Sequence, residues 1–244
     1  MKRRVLLTTF LLVLFPLACS SGTGGRLVSI QMRFSGDPSA TRFTTSLGYE
    51  VTLEEAELVL GPVYAFAPAD ELVTRRWWRS VAYAHGGLDP LDGRKVRAEL
   101  LERVVVDALS DEALVFDAAA EEGAIDELRL GLESEDALLD GHVAHVVGTA
   151  VKDGVTSAFD AWIDVGASDT ERRALVPFVG ELHEASVLNV RVDARVWLDG
   201  VAFDRLVDCT TPCEFPTESQ PALAAALGVR NAHAYQPSIE SGIE

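Results

Sequence analysis

The sequence predicts a mainly β protein: an antiparallel β-sandwich, jelly-roll or immunoglobulin-like, with one or two short helices. Three observations carry this. Apolar residues alternate with polar ones along many short segments. Turn residues punctuate those segments, as at Gly61-Pro62, Asp153-Gly154 and Asp199-Gly200. No regular succession of strands and long amphipathic helices suggests a parallel sheet.

The elements follow in order. Leu27 to Ser35 places Val28, Ile30, Met32 and Phe34 on one face, against Ser29, Gln31 and Arg33. That is a half-buried strand. Tyr49, Val51 and Leu53 repeat the pattern after Leu47-Gly48. Ala56, Leu58 and Leu60 continue it, with Glu55 and Glu57 outward. Val63 to Phe66 resumes after Gly61-Pro62. Asp70 to Ser80 is helix-like or irregular and carries Trp77 and Trp78, and His85 to Gly93 reads as a loop. Arg94 to Asp117 fits a helical stripe or strand pieces at Val104 to Val106 and Leu114 to Phe116; its β neighbours favour strand. Ala124 to Leu132 alternates imperfectly.

The clearest local signal is His142 to Asp164. Two alternating runs flank Asp153-Gly154, a dipeptide suited to a two-residue hairpin turn. Leu175 to Val179 and Ala185 to Val192 form a further β pair. In the second, Leu188, Val190 and Val192 share one face. Trp162 and Trp197 are expected in the core. Ala222 to Ala226 reads as a short helix, and Val229 to Tyr235 as a last strand.

The start of the chain carries an address. Lys2, Arg3 and Arg4 precede an apolar run from Val5 to Leu17, followed by Ala18, Cys19 and Ser20. This is the layout of an export signal, too short to remain as a spanning helix. The segment resembles a bacterial lipoprotein signal, which implies cleavage after Ala18, lipidation of Cys19 and, with Ser20 next, an outer-membrane destination. The other reading is an ordinary secretory signal cut near Ala18 or Ser20. The expected organisation is residues 1–18 as signal, 19–26 as flexible tether, and 27–244 as a single sandwich domain.

The chain has 21 basic and 38 acidic residues, a formal net charge of −17, and loss of the signal removes three of the basic ones. Such a surface repels nucleic acid and anionic lipid heads, so no nucleic-acid partner is expected. The membrane enters only through the lipid anchor, and an envelope protein partner stays open. About 225 residues after cleavage suffice for a core without staples. Cys209 and Cys213 bracket Thr-Thr-Pro and are expected to form a disulfide in an oxidising envelope. A redox or metal pair is the lesser alternative, since CxxxC is not the usual CxxC spacing.

Histidines are few. His142 and His145 have the HxxH spacing of some metal sites. On a regular strand, however, residues three apart face opposite ways, and only a bulge or a strand start would bring them together. The alternative is one core-edge and one surface histidine. His85 lies in a glycine-rich loop, the usual place for binding residues. His85, His142 and His145 together are the candidate metal ligands, meeting at one end of the sandwich, with copper or zinc as the candidate ions. Asp160, Asp164 and Asp169 read as solvated carboxylates. His183-Glu184 does not open an HExxH motif, because Val187 stands in the fifth position. With no GxSxG, Walker or GxGxxG motif either, no enzymatic activity is expected.

The segments Phe43 to Phe66, Ala82 to Gly87, His145 to Phe159 and Val190 to Phe203 occur in an order that resembles the MbnP-like periplasmic proteins. These are envelope β-sandwich proteins associated with copper. The G-T-A-x-x-x-G hairpin, here Gly148 to Gly154, is part of that likeness. The resemblance implies a copper-binding role with His85 as a ligand. Two function classes therefore stand: a lipid-anchored envelope protein holding a metal or small ligand in its end loops, and a structural or protein-interaction lipoprotein with no small ligand.

Overall fold

The computed structural model describes residues 25–69, 94–133, 138–166, 168, 170–206 and 212–241. Cys19, His85, Asp169 and Cys209, with Trp77 and Trp78, lie outside the described residues.

Alternation in the sequence becomes strand after strand. β1 (Leu27–Gly36) buries every second residue, including Ile30, Met32 and Phe34. β2 (Arg42–Thr44) leads to the long β3 (Glu50–Leu60). Gly61-Pro62 ends β3 and starts β4 (Val63–Phe66), which belongs to the other sheet. β5 (Val96–Leu100) and β6 (Val104–Asp107) show that the ambiguous stretch after Arg94 is strand. β7 (Leu114–Glu121) and β8 (Gly123–Gly131) follow. β9 (Ala144–Lys152) and β10 (Val155–Ile163) form the expected hairpin, with Asp153 and Gly154 at φ 53° and 79°. That double positive φ matches the twist of the flanking strands. β11 (Arg173–Leu182), β12 (Val187–Val192) and β13 (Tyr235–Glu240) complete the set.

The strands make two sheets. One has the order β11-β8-β4-β5-β7-β1-β12-β13 and the other β10-β9-β3-β2, with β6 also pairing β3. Their inward faces join one core: Val51, Leu53, Ala56 and Leu58 from β3, Phe159 and Ile163 from β10, Phe34 from β1, Val190 from β12. The sandwich expectation holds. The pairing of β1 with β12 is parallel, however, with Gln31 opposite Val187 through Gly36 opposite Val192. These strands are far apart in sequence, and a long connection is what allows a parallel neighbour. No local alternation pattern reports it.

Two short helices pack on one another, α1 (Arg195–Leu198) and α2 (Gln220–Arg230). In α2, Ser219 caps the first turn by accepting from the Ala222 amide, and Pro221 sits where no amide is needed. The helix therefore starts earlier and ends later than Ala222 to Ala226. Val229 belongs to it, which displaces the last strand to Tyr235. No helix among the described residues is long and apolar enough to cross a membrane.

Two local features position the site. β3 pairs β9 with a register shift between Leu53 and Glu55. This bulge explains how Leu53 and Ala56, three apart, both point into the core while Glu55 and Glu57 point out. In β9, Gly148 approaches the β3 backbone so closely that a Cβ would run into the Thr52 carbonyl. The hairpin thus lies tight against the strand carrying the two glutamates.

Candidate metal centre

The site lies on the outward face of the five-stranded sheet, and strand register assembles it. In the β3–β9 ladder Glu57 is opposite His145 and Glu55 opposite Val147. In the β9–β10 ladder Trp162 is opposite His145 and Asp160 opposite Val147. On its far side β3 pairs β6, with Asp107 opposite Glu57. Directly paired residues share a face. One row across the sheet therefore reads Asp107, Glu57, His145, Trp162, and the next reads Glu55, Val147, Asp160.

His145 is the centre of this patch. It is 8% exposed although it belongs to the outward face. Its ring lies on the Trp162 indole, with centroids 3.9 Å apart and planes at 20°. Nε2 is 2.8 Å from Asp160 Oδ1, and Nδ1 is 3.5 Å from Glu55 Oε1. Both ring nitrogens thus face carboxylates. A neutral imidazole has one N–H, so it donates to at most one of them, and Glu55 is also about half exposed to water.

Glu55, Glu57 and His145 each offer a ligand atom, and these atoms lie within 4.8 Å of one another. This is the one such group of three among the described residues. Burial and then the negative charge of Glu55 push the Glu57 carboxyl above the usual carboxylate range. Asp107 and a hydrogen bond with Glu55 act in the same direction, and His145 opposes them. Two carboxyl groups crowded beside one imidazole hold negative charge that a cation would relieve.

His142 stands at the edge of the same patch. It precedes β9, so strand alternation does not govern its direction. Its ring stacks on Trp162 with centroids 5.1 Å apart, and Nδ1 is 3.0 Å from Asp164 Oδ2. His142 and His145 therefore share a tryptophan, but His142 is not one of the three clustered ligands. His85 lies outside the described residues.

Several sequence expectations change here. Trp162 is not a core residue but a half-buried cover for two histidines, whereas Trp197 is fully buried as expected. Asp160 and Asp164 are histidine partners rather than merely solvated groups. Glu55 and Glu57 are outward, as their alternation indicates, but nothing in the sequence marks them as neighbours of His145. The usable signal was their spacing of two. Their register against the hairpin is a tertiary fact.

No family model matches the chain, and no curated protein does either. Among solved structures, MbnP from Methylosinus trichosporium is weakly similar, at 11% identity and a TM-score of 0.31, over 71% of this chain and 77% of that one.

Proposed function

We propose that this protein binds a divalent transition metal on the outward face of its five-stranded sheet, through His145, Glu55 and Glu57. The observation that supports this reading is the convergence of one nearly buried imidazole and two glutamates within 4.8 Å. One nitrogen and two carboxylates suit zinc or copper(II) better than calcium or magnesium, which take all-oxygen sites. The ion relieves the negative charge that Glu55 and Glu57 place side by side.

Titration of the purified mature domain with Zn²⁺ and Cu²⁺ by calorimetry tests the reading. One equivalent of either ion should bind, and His145→Ala should weaken it at least about 100-fold by removing the only nitrogen ligand of the three. A wild-type protein that takes up neither ion sinks the proposal.

The same reading makes the chain a cell-envelope lipoprotein, exported by residues 1–18 and anchored at the outer membrane through Cys19. The basic start, the short apolar run and the cysteine that ends it support this. Labelled palmitate should enter the protein expressed in a Gram-negative host and be lost in Cys19→Ser. A Cys209–Cys213 disulfide suits that compartment. Cys213 is buried and forms a β-bridge with Phe159 of β10, and two cysteines four residues apart in an oxidising compartment favour the bond.

A further inference from the structure

We propose that Asp160 is a positioning residue for the metal centre: it holds the His145 proton on Nε2, so that Nδ1 is the nitrogen presented to the ion. This inference rests on the metal reading above and assigns the roles of the two ring nitrogens within it.

Geometry separates the two sides of the ring. Asp160 stands 2.8 Å from Nε2, within hydrogen-bond reach. Glu55 stands 3.5 Å from Nδ1, too far for a good hydrogen bond, and it belongs to the carboxylate pair of the site. An ionised carboxylate only accepts, so the close Asp160 contact requires the proton on Nε2. The lone pair of a neutral ring then lies at Nδ1, on the glutamate side. Trp162 covers one face of the imidazole at 3.9 Å, which opposes ring rotation that would exchange the nitrogens.

The strands fix these partners independently. Asp160 comes from β10 and the glutamates from β3, on opposite sides of β9. The hairpin therefore carries His145 and its orienting carboxylate, and the neighbouring strand carries the two glutamates. A histidine ligand whose second nitrogen donates to a carboxylate is held in one tautomer and made more basic, and loss of such a partner costs 10–100-fold in metal affinity.

The test uses Zn²⁺ with the purified protein and its Asp160→Ala and Asp160→Asn variants. Asp160→Ala should bind Zn²⁺ about 10–100-fold more weakly, and Asp160→Asn, which can still accept from Nε2–H, should fall between Ala and wild type. Nitrogen-15 spectra of the wild-type His145 ring should show the proton on Nε2 before Zn²⁺ and retained there after it, with the shift change on Nδ1. A merely structural Asp160 would alter thermal stability but not this assignment. Zn²⁺ bound through Nε2, or unchanged affinity in Asp160→Ala, overturns the inference while leaving the site standing. Absence of Zn²⁺ uptake by wild type overturns the site and the inference together. If Asp160→Ala does not fold, Asp160→Asn decides, and Zn²⁺ affinity equal to wild type overturns the inference.

Discussion

Trp197→Ala should lower the stability of the folded protein by about 3–5 kcal/mol, whereas Trp197→Phe should cost only about 1–2 kcal/mol. Trp197 is 0% exposed, the largest of the fully buried side chains among the described residues. Truncation to alanine loses its transfer free energy and leaves a cavity that the surroundings close only in part. Gly228 of α2 lies against the Trp197 backbone so closely that it has no room for a Cβ, and α1 and α2 pack on each other along this contact. Phenylalanine fills much of the volume. It also removes the indole N–H, which has no hydrogen-bond partner among the described residues. A buried donor left unsatisfied is costly, so its removal offsets part of the lost packing. Denaturant unfolding of the three proteins reads the difference. Equal losses for Ala and Phe would show that the indole N–H is satisfied or that the site collapses around alanine.

Trp197 and His145 mark the limits of what periodicity can tell. Strands that alternate cleanly, such as Leu27–Gly36 and the hairpin around Asp153-Gly154, are legible because one face meets the core and the other water. Trp197 is buried as expected, but it sits in a helical turn, where the period of two that suggested its burial does not apply. Trp162 obeys the same alternation and still points outward, because its ladder partner is His145 and not a core residue. Phase along a strand does not say which face is the core. In β3 the bulge resets the phase between Leu53 and Glu55, so the outward pair Glu55 and Glu57 follows from local pattern while its meeting with His145 does not. That meeting depends on register between strands about ninety residues apart in sequence, which no local propensity sets. His142 and His145 are an HxxH pair in sequence. The structure gives them different carboxylates, because one stands before the strand and the other within it.

The second large effect is expected at the opposite sheet. Glu121→Gln should destabilise the protein by about 3–5 kcal/mol at neutral pH, lowering the melting temperature by on the order of 10 °C. The Glu121 and Arg97 side chains are 7% and 6% exposed, with Arg97 Nη1 donating to Glu121 Oε1 at 2.9 Å. Lys95 pairs with the same oxygen, and the Gly25 amide donates to it at 2.7 Å. Glutamine keeps the size but removes the charge, leaving two cations beside a neutral amide in a largely desolvated place. Arg97 keeps its hydrogen bonds to the Ala124 and Glu122 carbonyls, so the expected loss is that of the charge shared by Lys95 and Arg97 at Glu121 Oε1. Breaking one side of a buried pair costs more than the pair contributes, because the other charge stays buried. Burial alone would raise the Glu121 carboxyl, but hydrogen bonds from Lys95 and Gly25 and the charges of Lys95 and Arg97 hold it below the usual range. The folded protein therefore releases this proton more readily than the unfolded chain, where the group titrates near about 4.3. Its contribution is complete above that value and is lost as pH falls through the lower folded value. The stability gap between wild type and Glu121→Gln should thus be full at pH 7 and shrink at pH 3, measured as urea midpoints at both. A gap that stays constant across that range would mean that Glu121 acts through shape and not through charge.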